Sequence, residues 1–393
     1  MNEIRVAVAG VGHMGSAHAA ALLAGQIEGM RLTAVCDIRS ERLAPWRERL
    51  GEQACFADLH QLLSSGLADA AVIAVPHPLH AELGTLCLDA GLHTLVEKPI
   101  DISVRRARGL CDAAERSGRL FSLMLNQRSD PVFRRAKQII EQGGVGDLKR
   151  TVWIVTNWYR TQHYYDSGDW RATWKGEGGG VLLNQAPHNL DIWQWLCGMP
   201  ASVTAWCDVA HYHRIEVEDD VTLLTRYANG ATGAFLTTTG ESPGTNRLEI
   251  AGDLGKLVLE EGKVRWWRLR QPEPEVRFAS DANFAKIPFD YTEETPDPGP
   301  DGHLVILQNF SDAIRLGTPL MAPGEDGLKE LAISNAAYLS QWQEHAAISL
   351  PMDEALFDRE LQARAEASAY PKSAAGKAQT PTGGYSERWQ VRW

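Results

Sequence analysis

Two residues of this chain sit where a fold can aim them at a reacting alcohol. Lys98 closes a short apolar run in "HTLVEKP", and His188 follows Asn184 by four residues in "GGGVLLNQAPHNLD", Gly178 to Asp191. Oxidising a secondary alcohol needs a group that takes the hydroxyl proton while hydride leaves. The spacing predicts a helix starting near Asn184, with Asn184 and His188 on one face, a turn apart. The positive end of a helix disfavours imidazolium, which keeps the ring ready to accept a proton. Plainer roles exist for each: Lys98 as a solvated charge, His188 as a satisfied core histidine, Asn184 as an N-cap only. Gly178, Gly179 and Gly180 would let backbone approach a ligand closely.

The elements that must position these groups are legible in the first third. Apolar runs "IRVAVAG", "LTAVCD", "AAVIAVP", "HTLVEKP" and "LFSLMLN" alternate with helix-like segments up to about residue 126. That rhythm predicts a parallel, doubly wound sheet, whose strand C-termini face a ligand crevice and so bring Lys98 to it. "GVGHMG" places Gly10, Gly12 and Gly15 between the first strand and helix: a tight turn, a close approach to pyrophosphate and close helix packing. The second strand ends in Asp37, 22 residues after Gly15, where a carboxylate binds adenosine ribose hydroxyls. Asp37 favours NAD over NADP, although Arg39 could hold a 2′-phosphate.

From about residue 146 the strands lengthen and helices thin out, with "YANG" a hairpin turn. This half reads as a mostly antiparallel sheet. Residues 271–301, rich in Pro and acid, read as an irregular excursion, and helices return at about 302–316 and 324–345. The organisation expected is therefore a dinucleotide-binding domain over 1–126, an α+β domain over 127–350 and a C-terminal extension over 351–393. The extension carries Tyr385, Trp389 and Trp393, as a disordered tail or as an arm that buries them on a neighbouring subunit.

With 393 residues and a net charge of −11, the chain is too long for one core and too acidic for nucleic acid or an anionic membrane surface. No apolar run reaches the ~20 residues that span a bilayer. The N-terminus lacks a signal-peptide layout, and six scattered cysteines without a C-x-x-C pair read as reduced thiols in the cytoplasm. His77/His80 and His211/His213 lack a third ligand nearby, so no metal is expected. Nothing forms a nucleophile elbow.

"GVGHMG", "CDIR", "VIAVPHPLH", "EKP", "GGGVLLNQAPHNLD" and "LQNFSDAIRLGTP…SNAAYLS" together resemble the glucose–fructose oxidoreductase / inositol dehydrogenase / rhizopine-catabolism (Gfo/Idh/MocA) family, in order, from residue 1 to about 350. The resemblance implies a Rossmann domain, a second domain whose open sheet builds dimers or tetramers, a nicotinamide cofactor, and a cyclic polyol or pyranose substrate. The family's lysine falls on Lys98 and its catalytic histidine on His188. Its usual aspartate falls on Asn184, a departure seen in a sugar and sugar-nucleotide dehydrogenase branch. Around the cofactor the resemblance adds His13, Met14, Ala74, Val75, Pro76, His77, His80, Glu97, Asn126, Trp170 and Arg171. Arg128, Trp158, Arg160, His163, Tyr164 and Tyr165 supply the cationic and aromatic mix that holds sugars.

The expected function is NAD-dependent oxidation of a secondary hydroxyl on a cyclic sugar, sugar acid or polyol. The alternative keeps the fold and makes the protein a redox glycosidase: oxidation acidifies the neighbouring C–H, the aglycone is eliminated, and water addition and re-reduction follow. A non-catalytic NAD sensor is a third reading, disfavoured by Lys98 and His188. Asn184 in place of a carboxylate, with Arg160 nearby, points to an anionic substrate. Arg160 paired with Asp166 or Asp169 is the competing expectation.

Overall fold

The computed structural model describes residues 3–370 and Tyr385. Six parallel strands form the first sheet: β1 (Ile4–Ala9), β2 (Met30–Cys36), β3 (Cys55–Phe56), β4 (Ala70–Ile73), β5 (His93–Val96) and β6 (Phe121–Leu123), in the order β3-β2-β1-β4-β5-β6. Helices cover both faces, so the strands are nearly continuous apolar runs and β4 is buried throughout. The two-residue β3 carried too little apolar period to be read from sequence. Strand order reverses between β1 and β4, and the crevice of a doubly wound sheet opens there, at the strand C-termini.

The second sheet has nine strands: β7 (Leu148–Val155), β8 (Ser202–Val209), β9 (Glu218–Arg226), β10 (Thr232–Thr238), β11 (Asn246–Gly252), β12 (Gly255–Glu260), β13 (Lys263–Leu269), β14 (Phe289–Glu294) and β15 (Ile348–Ser349). Their order is β14-β13-β12-β11-β7-β10-β9-β8-β15, antiparallel except where β7 meets β10. The "YANG" turn joins β9 to β10, with Gly230 at φ +86° and the Tyr227 N–H bonded to the Ala231 carbonyl.

The excursion at 271–301 is more ordered than its composition suggests. It holds a helix, Glu273–Ala279, and the edge strand β14, which pairs with β13 from Leu269↔Phe289 to Val264↔Glu294. Its acids have partners that lie far off in sequence: Glu293 meets Lys263 and Arg265, and Glu294 meets Arg135. Opposite charges facing one another across strands stabilise such an edge.

One face of this sheet packs Trp153 and Phe235 beneath Trp193 of the helix Pro187–Cys197. The other face is only partly covered. Register aligns Val152, Ala234, Leu224 and Thr204 in one row and Ile154, Leu236, Thr222 and Trp206 in the next, all half-buried or exposed.

The helix Gly327–Trp342 joins the two halves: the Asn335 side chain accepts from Val104 N and donates to Ile102 O, and the core runs through both sheets. The extension begins with a helix, Glu354–Ala367, held on its own first domain by Arg108–Glu354 and Ser103–Asp358 bonds. Tyr385, expected in a disordered tail or on a neighbour, is buried on its own chain against Ala17 and Ala21. Trp389 and Trp393 lie outside the described residues. No helix among the described residues is long and apolar enough to cross a membrane.

Candidate active site

A cleft of about 2060 Å³ opens at the C-terminal ends of the six-stranded sheet. Single small-molecule sites measure roughly 300–1,000 Å³, so there is room for a dinucleotide and a second ligand. Its walls take in the first two glycines of the fingerprint, Lys98, the 158–188 segment and Ser368 to Tyr370.

The cofactor end fits a dinucleotide on geometry. Gly10 sits at φ +84°, and a Cβ there would lie 2.5 Å from the Ala74 carbonyl oxygen. A Cβ on Gly15 would lie 1.7 Å from the Gly10 carbonyl oxygen, which enforces close packing of the helix His13–Leu23 on β1. Gly12 would meet nothing closer than Arg42 at 3.4 Å and faces the cleft, leaving open the space that pyrophosphate requires. Asp37 accepts from Val11 N at 3.0 Å and Arg39 N at 2.9 Å, so its carboxylate also holds the turn it serves. Arg39 reaches across the mouth to Asp169 at 2.5 Å. His13, Met14, Ala74, Val75, Pro76, His77, His80 and Asn126 line the same end, and Trp170 packs edge-on to His77.

At the inner end, Lys98 Nζ donates to the Asn184 carbonyl at 2.7 Å. Burial pulls the Lys98 ammonium below the usual amine range, with Glu97 and Glu177 opposing. Glu97 would be raised by burial, but its hydrogen bond to His18 and that ring's charge outweigh it and hold the carboxyl at about 2. His188 lines the cleft in the first turn of Pro187–Cys197, its Nδ1 buried without a partner. Burial, then the charge of Lys98, keeps the ring well below the ordinary histidine range and therefore neutral.

Asn184 differs from the expectation. It does not cap the histidine's helix: it ends a separate turn, Val181–Asn184, and Ala186 is the capping residue after the break. Its side-chain amide donates instead to the carboxylate of Glu177 and, at 3.2 Å, to the Tyr164 hydroxyl. Glu218 anchors the turn's start by accepting from Gly180 N at 2.9 Å and Leu182 N at 3.0 Å, and burial raises its carboxyl to about 7.

Tyr164 is the hub of the sugar end. Its hydroxyl oxygen meets Arg171 Nη1 at 2.6 Å and Gln185 Nε2 at 3.1 Å, besides Asn184, while Arg160 and Arg171 lie over its ring. Arg160 pairs with neither expected aspartate. It bonds the Trp158 and Tyr159 carbonyls, while Asp169 takes Arg39 and Asp166 accepts from Gln162. Trp158 and His163 line the cleft, and the Trp158 indole donates to Asn189.

Two expected sugar contacts lie away from the cleft walls. Arg128 is 2% exposed and forks onto Asp191 at 2.6 and 2.8 Å, with Asp326 at 2.5 Å. A buried guanidinium must be neutralised, and those two carboxylates hold it in the core. Tyr165 is buried against His213 with its hydroxyl on Thr239, because its neighbour Tyr164 takes the cleft-facing position.

Sequence reasoning missed Gln127, Glu177, Gln185, Ser368 and Tyr370. Gln127 was visible only as the neighbour of Asn126, and Glu177 as an acid set against three glycines. His211 also finds the ligand partners that its neighbourhood in sequence lacked: Asp208 and Asp220, with ligand atoms within 4.8 Å of one another, outside the cleft walls.

Residues 4–125 match the NAD-binding Rossmann fold of the oxidoreductase family, and residues 133–258 match the GFO/IDH/MocA C-terminal domain. Myo-inositol 2-dehydrogenase of Thermotoga maritima is 24% identical over 350 residues, 85% of this chain and 95% of that enzyme. Levoglucosan dehydrogenase of Pseudarthrobacter phenanthrenivorans is 26% identical over 312 residues, 72% of this chain and 78% of that one. The crystal structure of the WlbA dehydrogenase from Bordetella pertussis, in complex with NADH and UDP-GlcNAcA, is similar with a TM-score of 0.76 and 27% identity, covering 90% of this chain and all of that one. Because both halves match in order on the fold described, this chain belongs to the GFO/IDH/MocA family of NAD-binding oxidoreductases.

Proposed function

We propose that this oxidoreductase removes hydride from a secondary hydroxyl of a cyclic sugar or polyol, with Lys98 and His188 managing the proton. The observation that carries this is that Lys98, held through Nζ on the Asn184 carbonyl, and His188, kept neutral partly by the charge of Lys98, line one cleft. NAD, when bound, supplies the hydride acceptor. Lys98 orients the substrate oxygen and stabilises negative charge developing on it, and the neutral ring of His188 accepts the proton. Tyr164, Trp158 and His163 offer the faces and polar edges that hold a pyranose or inositol ring. Relatives named for inositol and levoglucosan support that substrate class.

Anionic substrates are the better fit within the class, and the reason lies in the arginines and not in Asn184. Glu177 returns a carboxylate to that position, so the Asn184 substitution alone no longer implies a positive site. Among the described residues, however, neither Arg160 nor Arg171 is paired with a carboxylate, and both line the cleft. The half-covered outer rows of the second sheet support self-association as a homodimer or homotetramer.

The test is a screen of inositols, neutral aldoses and sugar acids with NAD, followed by Lys98→Ala and His188→Ala. Stoichiometric NADH, abolished in both variants while NAD still binds, is the expected result. Normal turnover in both variants would remove the assigned roles. Aglycone release from a glycoside with no net NADH would move the reading to a redox glycosidase.

A further inference from the structure

Beneath Lys98 a buried line of hydrogen bonds runs into the C-terminal extension. Glu97 accepts from Lys98 N at 3.1 Å through one oxygen, and its other oxygen lies 2.7 Å from His18 Nε2. The second ring nitrogen, His18 Nδ1, lies 2.5 Å from the hydroxyl of Tyr385. All three side chains are buried: His18 is 0%, Glu97 5% and Tyr385 5% exposed. The Tyr385 ring stacks on His303 at 4.6 Å with planes 2° apart, and Met14 and Leu304 pack around it. Earlier in the same extension, Tyr370 is pinned at the cleft mouth, its N–H on Glu216 at 3.1 Å and its hydroxyl on the Arg214 carbonyl.

We infer that Tyr385 is a positioning residue for the proton chemistry at Lys98: its hydroxyl holds His18 against Glu97 and so sets the charge that Lys98 meets. The inference rests on the proposed role of Lys98 as the cation that meets the substrate oxygen. An imidazole between a phenol oxygen and a carboxylate has a partner at both nitrogens, whichever protons it carries. Without the hydroxyl, Nδ1 is buried with no partner. A buried ring nitrogen that has lost its partner is no longer held in place from that side, so His18 becomes a poorer partner for Glu97. The negative charge of Glu97 is then less compensated, and Lys98 holds its proton to higher pH.

The other groups that act on Lys98 stay in place when Tyr385 is changed. They are Arg171 and Glu177 from the loop, Glu330 from Gly327–Trp342, His188 from Pro187–Cys197, and His77 and His80 behind β4. Toward Glu97 they are His18, His303 and Lys98, with His188 and His80 nearby.

The experiment needs no substrate. Full-length wild type, Tyr385→Phe, Tyr385→Ala and the surface control Tyr291→Phe are labelled with trace acetic anhydride across a pH series. Mass spectrometry then reads modification of Lys98 against that of the exposed Lys286. Expected is a rise of at least about half a pH unit in the Lys98 midpoint for both Tyr385 variants and none for the control, a shift well above the resolution of such titrations. Tyr385→Phe keeps the stacked ring, so folding and NAD binding should match wild type. An unchanged or lowered midpoint in Tyr385→Phe overturns the inference, as does a shift seen with Ala alone, which would trace to packing. With a turned-over alcohol, the pH limb of kcat should move by the same amount with KM within about twofold. A shifted Lys98 midpoint in a protein that oxidises no alcohol would leave this inference standing while the proposed function fails.

Discussion

Asn184 gives its side-chain amide to the buried carboxylate of Glu177, seven residues earlier, so the acid absent from the cleft surface stands directly behind it. Replacing Asn184 with Asp would set two carboxylates in contact, and one would have to take up a proton. Asn184→Asp is therefore expected to lower kcat/KM by about tenfold or more, roughly 1.4 kcal/mol, and to make the remaining activity more pH-dependent. The double variant Glu177→Gln/Asn184→Asp should recover most of the loss. Steady-state kinetics of the three proteins check this, and an Asn184→Asp enzyme as active as wild type would contradict the arrangement.

Arg39 is occupied by Asp169 at 2.5 Å across the cleft mouth. Asp169→Asn should free the guanidinium for a 2′-phosphate and shift the ratio of kcat/KM for NAD over NADP toward NADP by about tenfold, while thermal stability barely moves because exposed pairs contribute little. Initial rates with both cofactors decide it. An unchanged ratio would mean that Asp37 alone governs the choice.

Two buried carboxyls should give the folded protein opposite acid–base signatures. Glu97, held at about 2 against an ordinary 4.5, is depressed in the native state. Its stabilisation is present above pH 4.5 and is lost as pH falls toward 2, on the order of 3 kcal/mol. Glu218, raised to about 7, works the other way: its contribution is complete below pH 4.5 and is lost as pH rises to 7. Urea unfolding across that range should therefore show a flatter acid limb in Glu97→Gln and a flatter rise-to-neutral loss in Glu218→Gln. Parallel curves for wild type and variants would refute the signs.

Arg128, forked onto Asp191 and also bonded to Asp326, should matter for folding and not for substrate charge. Arg128→Ala leaves a buried carboxylate without its cation and should destabilise by about 3–5 kcal/mol. Whatever enzyme survives should show the wild-type preference between acidic and neutral versions of one sugar, whereas Arg160→Ala should penalise the acidic one. A selective loss in Arg128→Ala would return that arginine to the substrate site.

The sequence by itself determined the parts whose geometry is short-range. Gly10, Gly12 and Gly15 can serve only a tight strand–turn–helix, and Asp37 and Lys98 inherit their places from the ends of β2 and β5, whereas the helix expected to start near Asn184 breaks there and begins again at Pro187. Only the tertiary structure decided which charge meets which. Arg128 finds its carboxylates 63 and 198 residues away, Asn184 finds Glu177 back across the three glycines, and His18 finds Tyr385 at a separation of 367. A charge withdrawn from water must be paired, but desolvation depends on what the whole chain packs around it. Residue type and spacing therefore made Arg128 and Tyr165 look like ligand contacts, and packing placed both in the core.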